Sequence, residues 1–250
     1  MQEKNYNTYK LSLTELLIYL LLFLMTAFVY SLLFFDSLIP VFLSLTLLKL
    51  YFKLVRKKLV SKQKYRLLLQ FKEWLFSLNA SLNSGFALEN AIKESLTELK
   101  SLFGEKSDIY MEVKLMCNKL LLHIPLEEIL NNFAVRSDLE DVKIFSEIIT
   151  LVKKNGGDMI GIIKNTSATI SSEIDLKNKI AASVASTKYE LYIMAAFPLI
   201  IIKYVDMTQP GFFDSLYHNL FGVCVMSVCL LTYFGSLFIA NKILNITRRI

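Results

Sequence analysis

Four stretches of this chain are almost purely apolar. Leu13 to Phe35 holds a single charge, Glu15, near its start. Leu38 to Leu54 is interrupted by Lys49 and Lys53, Tyr189 to Val205 contains Pro198 and Lys203, and a last run extends from Leu216 to about Ile243. A bilayer core takes roughly 20 apolar residues as helix. The first and fourth runs meet that length, and the second and third need lysines that snorkel from their ends. The first run is too long for a cleaved signal peptide and is followed by no small-x-small site.

Between the second and third runs the pattern changes to three- and four-residue steps, the spacing of amphipathic helices. Leu68, Phe71, Leu75, Leu78 and Leu82 mark a helix over Tyr65–Leu82, closed by Asn83-Ser84-Gly85. Leu88, Ala91, Ile92, Leu96 and Leu99 mark a second, over Ala87–Leu102, ended by Gly104. Ile109, Val113, Met116, Cys117 and Leu120 place a third over Asp108–Leu122. After His123-Ile124-Pro125 comes a fourth, Leu126–Ala134, with Pro125 suited to its first turn. Ser137-Asp138-x-Glu140 reads as the start of a fifth that runs to Lys154. Asn155-Gly156-Gly157 ends it, with Asp158 as a cap for the sixth. From Met159 no breaker precedes the third apolar run. Either one helix of roughly 45 residues and about 70 Å continues into it, or a bend near Ser183–Thr187 separates two helices.

Three turns look alike: LNSGFALENAI, LLHIPLEEIL and VKKNGGDMIGII. Each joins two helices through a short breaker, so neighbouring helices run antiparallel. The expected fold is an all-α membrane protein with four transmembrane helices and a cytoplasmic antiparallel bundle of about six helices. Residues 1–54 form a two-span hairpin, 55–188 the bundle, and 189–250 a second two-span hairpin with a short tail. Gly85, Pro125, Gly156 and Gly157 are the turn residues and, because loops carry recognition, the candidate partner-contact ends. The glycines also have a purely structural reading, since positive φ at a helix end favours Gly.

Composition agrees with the pattern. Apolar residues make up 54% of 250, which excludes disorder, and 8 Gly with 4 Pro leave little for a turn-rich β fold. The net charge of +6 is concentrated in KLVRKKLVSKQKYR, from Lys53 to Arg66. This collar (Arg56, Lys57, Lys58, Lys62, Lys64, Arg66) is cytoplasmic by the positive-inside rule and attracts anionic membrane lipid. Lys4, Lys10, Lys242, Arg248 and Arg249 put both termini on the same side, while the links with Asp36 and with Asp206 and Asp214 lack cations and face outward. The chain is expected in the cell membrane, multi-pass, with both termini cytoplasmic. No basic face appears on the bundle itself, so nucleic acid is not an expected partner.

Motifs for chemistry are missing. There is no Walker motif, zinc-protease helix, nucleophile elbow or kinase signature, so neither enzymatic activity nor a cofactor is expected. Cys117, Cys224 and Cys229 form no C-x-x-C pair, and His123 and His218 lack ligand neighbours, so no metal site is expected. Glu127-Glu128 and Glu140-Asp141 do not share a helix face and read as solvated surface. Lys203 is either functional within the membrane or a snorkelling cation paired with Asp206.

Residues 60–245 resemble the type II secretion system F family, in particular the tight-adherence (Tad) pilus members TadB and TadC. The likeness lies in LNSGFALENAI after an amphipathic helix, in IPLEEILNNFAVRSDLEDVKIFSEII, and in KKNGGDMIGIIKNTSATI. It continues through KNKIAASVASTKYELYIMAAFPLIII, which enters a span containing proline. The resemblance implies a membrane platform protein without catalytic activity. Its partners would be a hexameric secretion or pilus ATPase, a sister platform protein or second copy, and pilin-like subunits. The alternative is a small-solute transporter or channel subunit, which would place polar groups along a path at midplane. The first and fourth runs offer only residues such as Thr26, Ser31, Ser227 and Thr232 there, which also serve helix packing.

Overall fold

The computed structural model describes residues 3–9, 11–37, 39–155, 159–217 and 219–247, and among these it is helical with no strand. The helices are α1 (Leu13–Phe35), α2 (Ile39–Ser44), α3 (Leu48–Asn83), α4 (Leu88–Phe103), α5 (Asp108–Leu121), α6 (Leu126–Ser137) and α7 (Glu140–Asn155). They are followed by α8 (Met159–Thr208), α9 (Asp214–Tyr217) and α10 (Leu220–Thr247). Two compact units result, Met1–Lys10 with Val55–Leu176, and Leu11–Leu54 with Lys177–Ile250.

The first unit is the helical bundle. Its core takes Leu67, Phe71, Trp74 and Leu78 from α3, Ile92 and Leu99 from α4, and Ile109, Val113 and Met116 from α5. Ile129 and Phe133 of α6, Val142 and Phe145 of α7, and Ile163, Ile170 and Ile174 of α8 complete it. Those spacings of three, four and seven put one stripe of each helix inward. Phe71, Trp74 and Phe145 pack tilted or edge-on, with ring centroids 5.6–5.9 Å apart. The indole N–H of Trp74 donates to Ser95 Oγ at 3.0 Å, and Ser95 donates on to the Ile92 carbonyl at 2.7 Å. The one polar atom of that ring is thus satisfied inside the core.

Several local expectations change. Ser137 does not start a helix: it ends α6, buried, with its hydroxyl donating to the Ala134 carbonyl. Asp138 then takes a left-handed conformation (φ 50°), which Asp tolerates better than most residues. Pro125 sits one residue before the first turn of α6, as its N-cap. Asp141 is buried rather than solvated. The collar and the first amphipathic helix are a single 36-residue helix, α3. The two readings of the sixth helix resolve to one unbroken 50-residue helix, α8, with no interruption at Ser183–Thr187. At 1.5 Å per residue it is about 75 Å long.

In the second unit, the helices are apolar on nearly every face. Three helices among the described residues are long and apolar enough to cross a membrane: Leu13–Phe35, Ile160–Thr208 within α8, and Phe221–Leu244 within α10. The second apolar run forms no single helix of that kind. It is divided into α2, a 3-10 turn over Leu45–Leu47, and the start of α3. Tyrosine hydroxyls tie the helices of this unit. Tyr233 donates to the Ala195 carbonyl at 2.7 Å and lies 3.3 Å from the Tyr30 hydroxyl, and Tyr217 donates to the Leu33 carbonyl at 2.9 Å. Such bonds hold apolar helices together where hydrophobic burial gives little preference. Glu15, the one charge in the first run, accepts the Ser12 N–H at 3.1 Å at the start of α1, where a carboxylate favours the helix terminus.

Candidate functional site: a polar clamp and the hairpin turns

The densest polar constellation in the bundle involves residues that the sequence reading assigned elsewhere. Glu3 to Tyr9 group with the bundle rather than with the first apolar helix that follows them. They lie as a strap, with a turn at Tyr6 and Asn7, on α5 and α6, and Tyr6 is fully buried there. The Tyr6 N–H donates to the Arg136 carbonyl at 3.0 Å, and its hydroxyl donates to Glu112 Oε1 at 3.0 Å. Arg136 holds Glu112 with both terminal nitrogens, Nη1 at 2.8 Å and Nη2 at 2.6 Å. Its Nη1 also reaches the Lys4 carbonyl at 2.9 Å, and its Nε the Asn132 Oδ1 at 2.7 Å. One turn earlier on α5, buried Asp108 is bracketed by Lys4 and Arg66, each at 2.7 Å. Lys119 pairs with Glu3 at 2.6 Å.

The sequence placed these groups on one surface by spacing. Asp108 and Glu112 are four apart on α5 and share a face. Arg136 lies in the last turn of α6, where a cation suits the helix dipole. Both carboxylates are buried, and both are matched by cations and hydrogen bonds, as burial of charge requires. Burial, followed by the charges of Glu112 and Asp108, pushes the Tyr6 hydroxyl well above the usual tyrosine range. Burial alone would lower Arg136, and the hydrogen bond and charge of Glu112 outweigh it and raise it. The Lys119 hydrogen bond draws Glu3 below the usual carboxylate range. Every one of these shifts fixes the charge state already present at neutral pH.

The predicted turn residues separate. Gly85 has φ +89° after α3, its N–H donating to the Leu82 carbonyl at 3.0 Å. Pro125 follows His123, which takes φ +59°, and both Pro125 and the apolar Leu121 and Leu122 beside it are exposed. Because the helices alternate in direction, the Gly85 and Pro125 turns fall at the same end of the bundle. Phe86 is exposed at that end too. Gly156, Gly157 and the Asp158 cap lie outside the described residues, as do His218, Lys10, Arg248 and Arg249.

The basic collar divides as well. Arg56, Lys57, Lys58 and Lys62 are exposed on α3. Lys64 instead bridges Asn7 and Asp138, both at 2.6 Å, and Arg66 pairs with Asp108. These two cations belong to the bundle's own architecture, a role that the charge run alone did not reveal. Lys203 pairs with Asp206 at 2.9 Å, the local ion pair expected as one of its two readings. Cys117 is buried in the core, and burial raises its thiol. Among the described residues no group of His, Cys, Asp and Glu could hold a metal ion. In comparisons with known proteins no family model matches the chain, and neither does any curated protein or solved structure.

Proposed function

We propose that the chain is a cell-membrane platform protein of a type II secretion or Tad pilus assembly machine, coupling a hexameric secretion ATPase to pilin-like subunits. The observation that carries this reading is α8. One helix packs Ile163, Ile170 and Ile174 into the bundle core and runs on without a break into an apolar segment long enough to cross a membrane. A part that relays movement between a cytoplasmic motor and the bilayer needs such continuity. The bundle of short hairpins, with turns gathered at one end, offers that motor a surface.

The same reading calls for four crossings with both termini cytoplasmic, and the strap supports it. Glu3–Tyr9 and the bundle form one compact unit, which on this reading lies on one side of the membrane. If α1 crosses, the chain must return before Val55. The return path is Ile39 to Leu54, which stays helical because Ser44 and Leu48, flanking the 3-10 turn, both keep right-handed helical dihedrals. Sixteen residues cover about 25 Å, slightly less than a typical core of roughly 30 Å. Lys49 and Lys53, both exposed, would bridge the difference by snorkelling, with local thinning of the bilayer.

The test is a pull-down of the full-length chain in mild detergent, followed by mass spectrometry. Recovery of a P-loop secretion ATPase together with a second multi-span protein is the expected result. Recovery of the folded, abundant chain alone removes the platform reading.

A further inference from the structure

We infer that Glu3–Tyr9 is a releasable latch, a noncovalent link that ties the first apolar helix to the α5–α6 hairpin. The inference goes beyond the platform reading and does not depend on it. Along the chain, α5 and α6 connect only to α4 and α7, both bundle helices. The strap gives them a second connection, since it continues within a few residues into α1 at Leu13.

Two features make the latch releasable rather than a fixed part of the core. First, each buried carboxylate under the strap has a partner that is not on the strap. When the strap leaves, Asp108 loses Lys4 and keeps Arg66, and Glu112 loses Tyr6 and keeps both nitrogens of Arg136. Departure therefore strands no buried charge, the event that makes breaking such a cluster prohibitive. Second, Tyr6 is the strap's one residue in the core. The other anchors are polar: the Glu3–Lys119 and Lys4–Asp108 pairs, with 39% and 44% of the strap-side chains still exposed, and hydrogen bonds from Tyr6 N–H to the Arg136 carbonyl, from Arg136 to the Lys4 carbonyl and from Lys64 to Asn7. Pairs whose strap-side chain reaches solvent are weaker than fully buried ones and are screened by salt. Set against the ordering of a seven-residue segment without helix or strand, one aromatic ring and these polar contacts give the closed form only a modest advantage.

Amide hydrogen exchange of the full-length protein in detergent tests this, with the Trp74 core as internal reference. At low salt the peptide containing Tyr6 should be protected, because its N–H is bonded to Arg136. In 1 M KCl its exchange should rise about tenfold while that of Leu67–Leu78 stays unchanged. Tyr6→Ala should open the strap at both salt concentrations with Trp74 emission as in the wild type, and Tyr6→Phe, which keeps the ring, should fall between. Three results overturn the inference. Coil-like exchange of the strap at low salt means that it is not docked. Loss of the Trp74 environment in Tyr6→Ala, or core and strap exchanging together, means that the strap is integral to the fold. Protection that disappears on dilution means that a second copy supplies the strap.

Discussion

Tyr6 donates its hydroxyl to the Glu112 carboxylate across 106 residues of chain, and Arg136 grips the same carboxylate from the other side. Glu112 thus joins three separate segments: the strap, α5 and α6. Removing its cation should be far worse than removing the pair. Arg136→Ala leaves a buried carboxylate with only a neutral partner and should lower stability by about 3–5 kcal/mol. Glu112→Met combined with Arg136→Met removes both charges and should lie closer to wild type. Urea unfolding followed by the fluorescence of Trp74, the chain's single and fully buried tryptophan, measures both.

The aromatic centre of the bundle predicts a contrast between neighbours. Phe145 is buried against Phe71 and Trp74, whereas Ile144, one position earlier, is exposed. Phe145→Ala should destabilise by about 3–5 kcal/mol through lost burial and the cavity left behind. Ile144→Ala should change stability by less than about 0.5 kcal/mol. The same Trp74 unfolding curves distinguish them.

These core positions were legible because periodicity and burial are the same fact in an amphipathic helix. Leu68, Phe71, Leu75 and Leu78 were placed inward by spacing, and all are buried. The strap was not legible. KNYNTY carries no period and too few apolar residues to announce a packed segment, and its one buried residue, Tyr6, is an ordinary tyrosine until α5 and α6 are beside it. Lys64 and Arg66 were hidden differently. They belong to a run of cations whose topogenic meaning accounts for all of them, and only the acids brought near by folding, Asp138 and Asp108, single out two. Asp141 was misjudged because two acids recognised as lying on different faces were both given to solvent, although consecutive helix positions about 100° apart can turn one of them inward, as Asp141 is.

The turn residues allow structure and recognition to be separated. Gly85 has φ +89°, and a Cβ there would meet nothing within 4 Å. Gly85→Ala should therefore cost about 1 kcal/mol, purely from backbone strain. Pro125 occupies an N-cap position with φ −57° and ψ 136°, values that other residues adopt freely. Pro125→Ala should lower stability by less than about 1 kcal/mol, through added freedom of the unfolded chain. If this end of the bundle contacts a partner, Pro125→Asp should weaken partner recovery in the pull-down without moving the unfolding midpoint beyond that range.

Acid should loosen the α6–α7 hairpin. Glu127 is held below the ordinary carboxylate range first by its own backbone N–H in the opening turn of α6, and then, against burial, by Lys153 at 3.1 Å. Its folded-state value is lowered, so its contribution is complete above the ordinary carboxylate value and is lost as pH falls through the folded value. Wild type should be slightly more stable than Glu127→Gln at pH 7, and the two should converge as pH falls below about 4. The difference is small because the pair is partly exposed, and it should shrink in high salt. Denaturation midpoints of both proteins at matched pH provide the comparison.

The four-crossing arrangement makes a prediction that hydropathy alone does not. Counting only helices of sufficient length and hydrophobicity leaves α1 as the single crossing between Glu3–Tyr9 and the bundle, which would put them on opposite faces, although they pack as one unit. A chain without Cys117, Cys224 and Cys229, carrying single cysteines in intact cells or sealed spheroplasts, decides between them. Ser37→Cys, just after α1, and Gln209→Cys, just after α8, should react with a membrane-impermeant maleimide added outside. Ser61→Cys on α3 and Ser101→Cys on α4, both exposed on the bundle, should react only after lysis. Labelling of Ser61→Cys from outside would mean that Ile39–Leu54 does not return across the bilayer, and the platform topology would fall with it. Shielding of Ser37→Cys with normal labelling of Gln209→Cys would instead make α1 a helix that fails to cross, anchored beside the bundle by its strap.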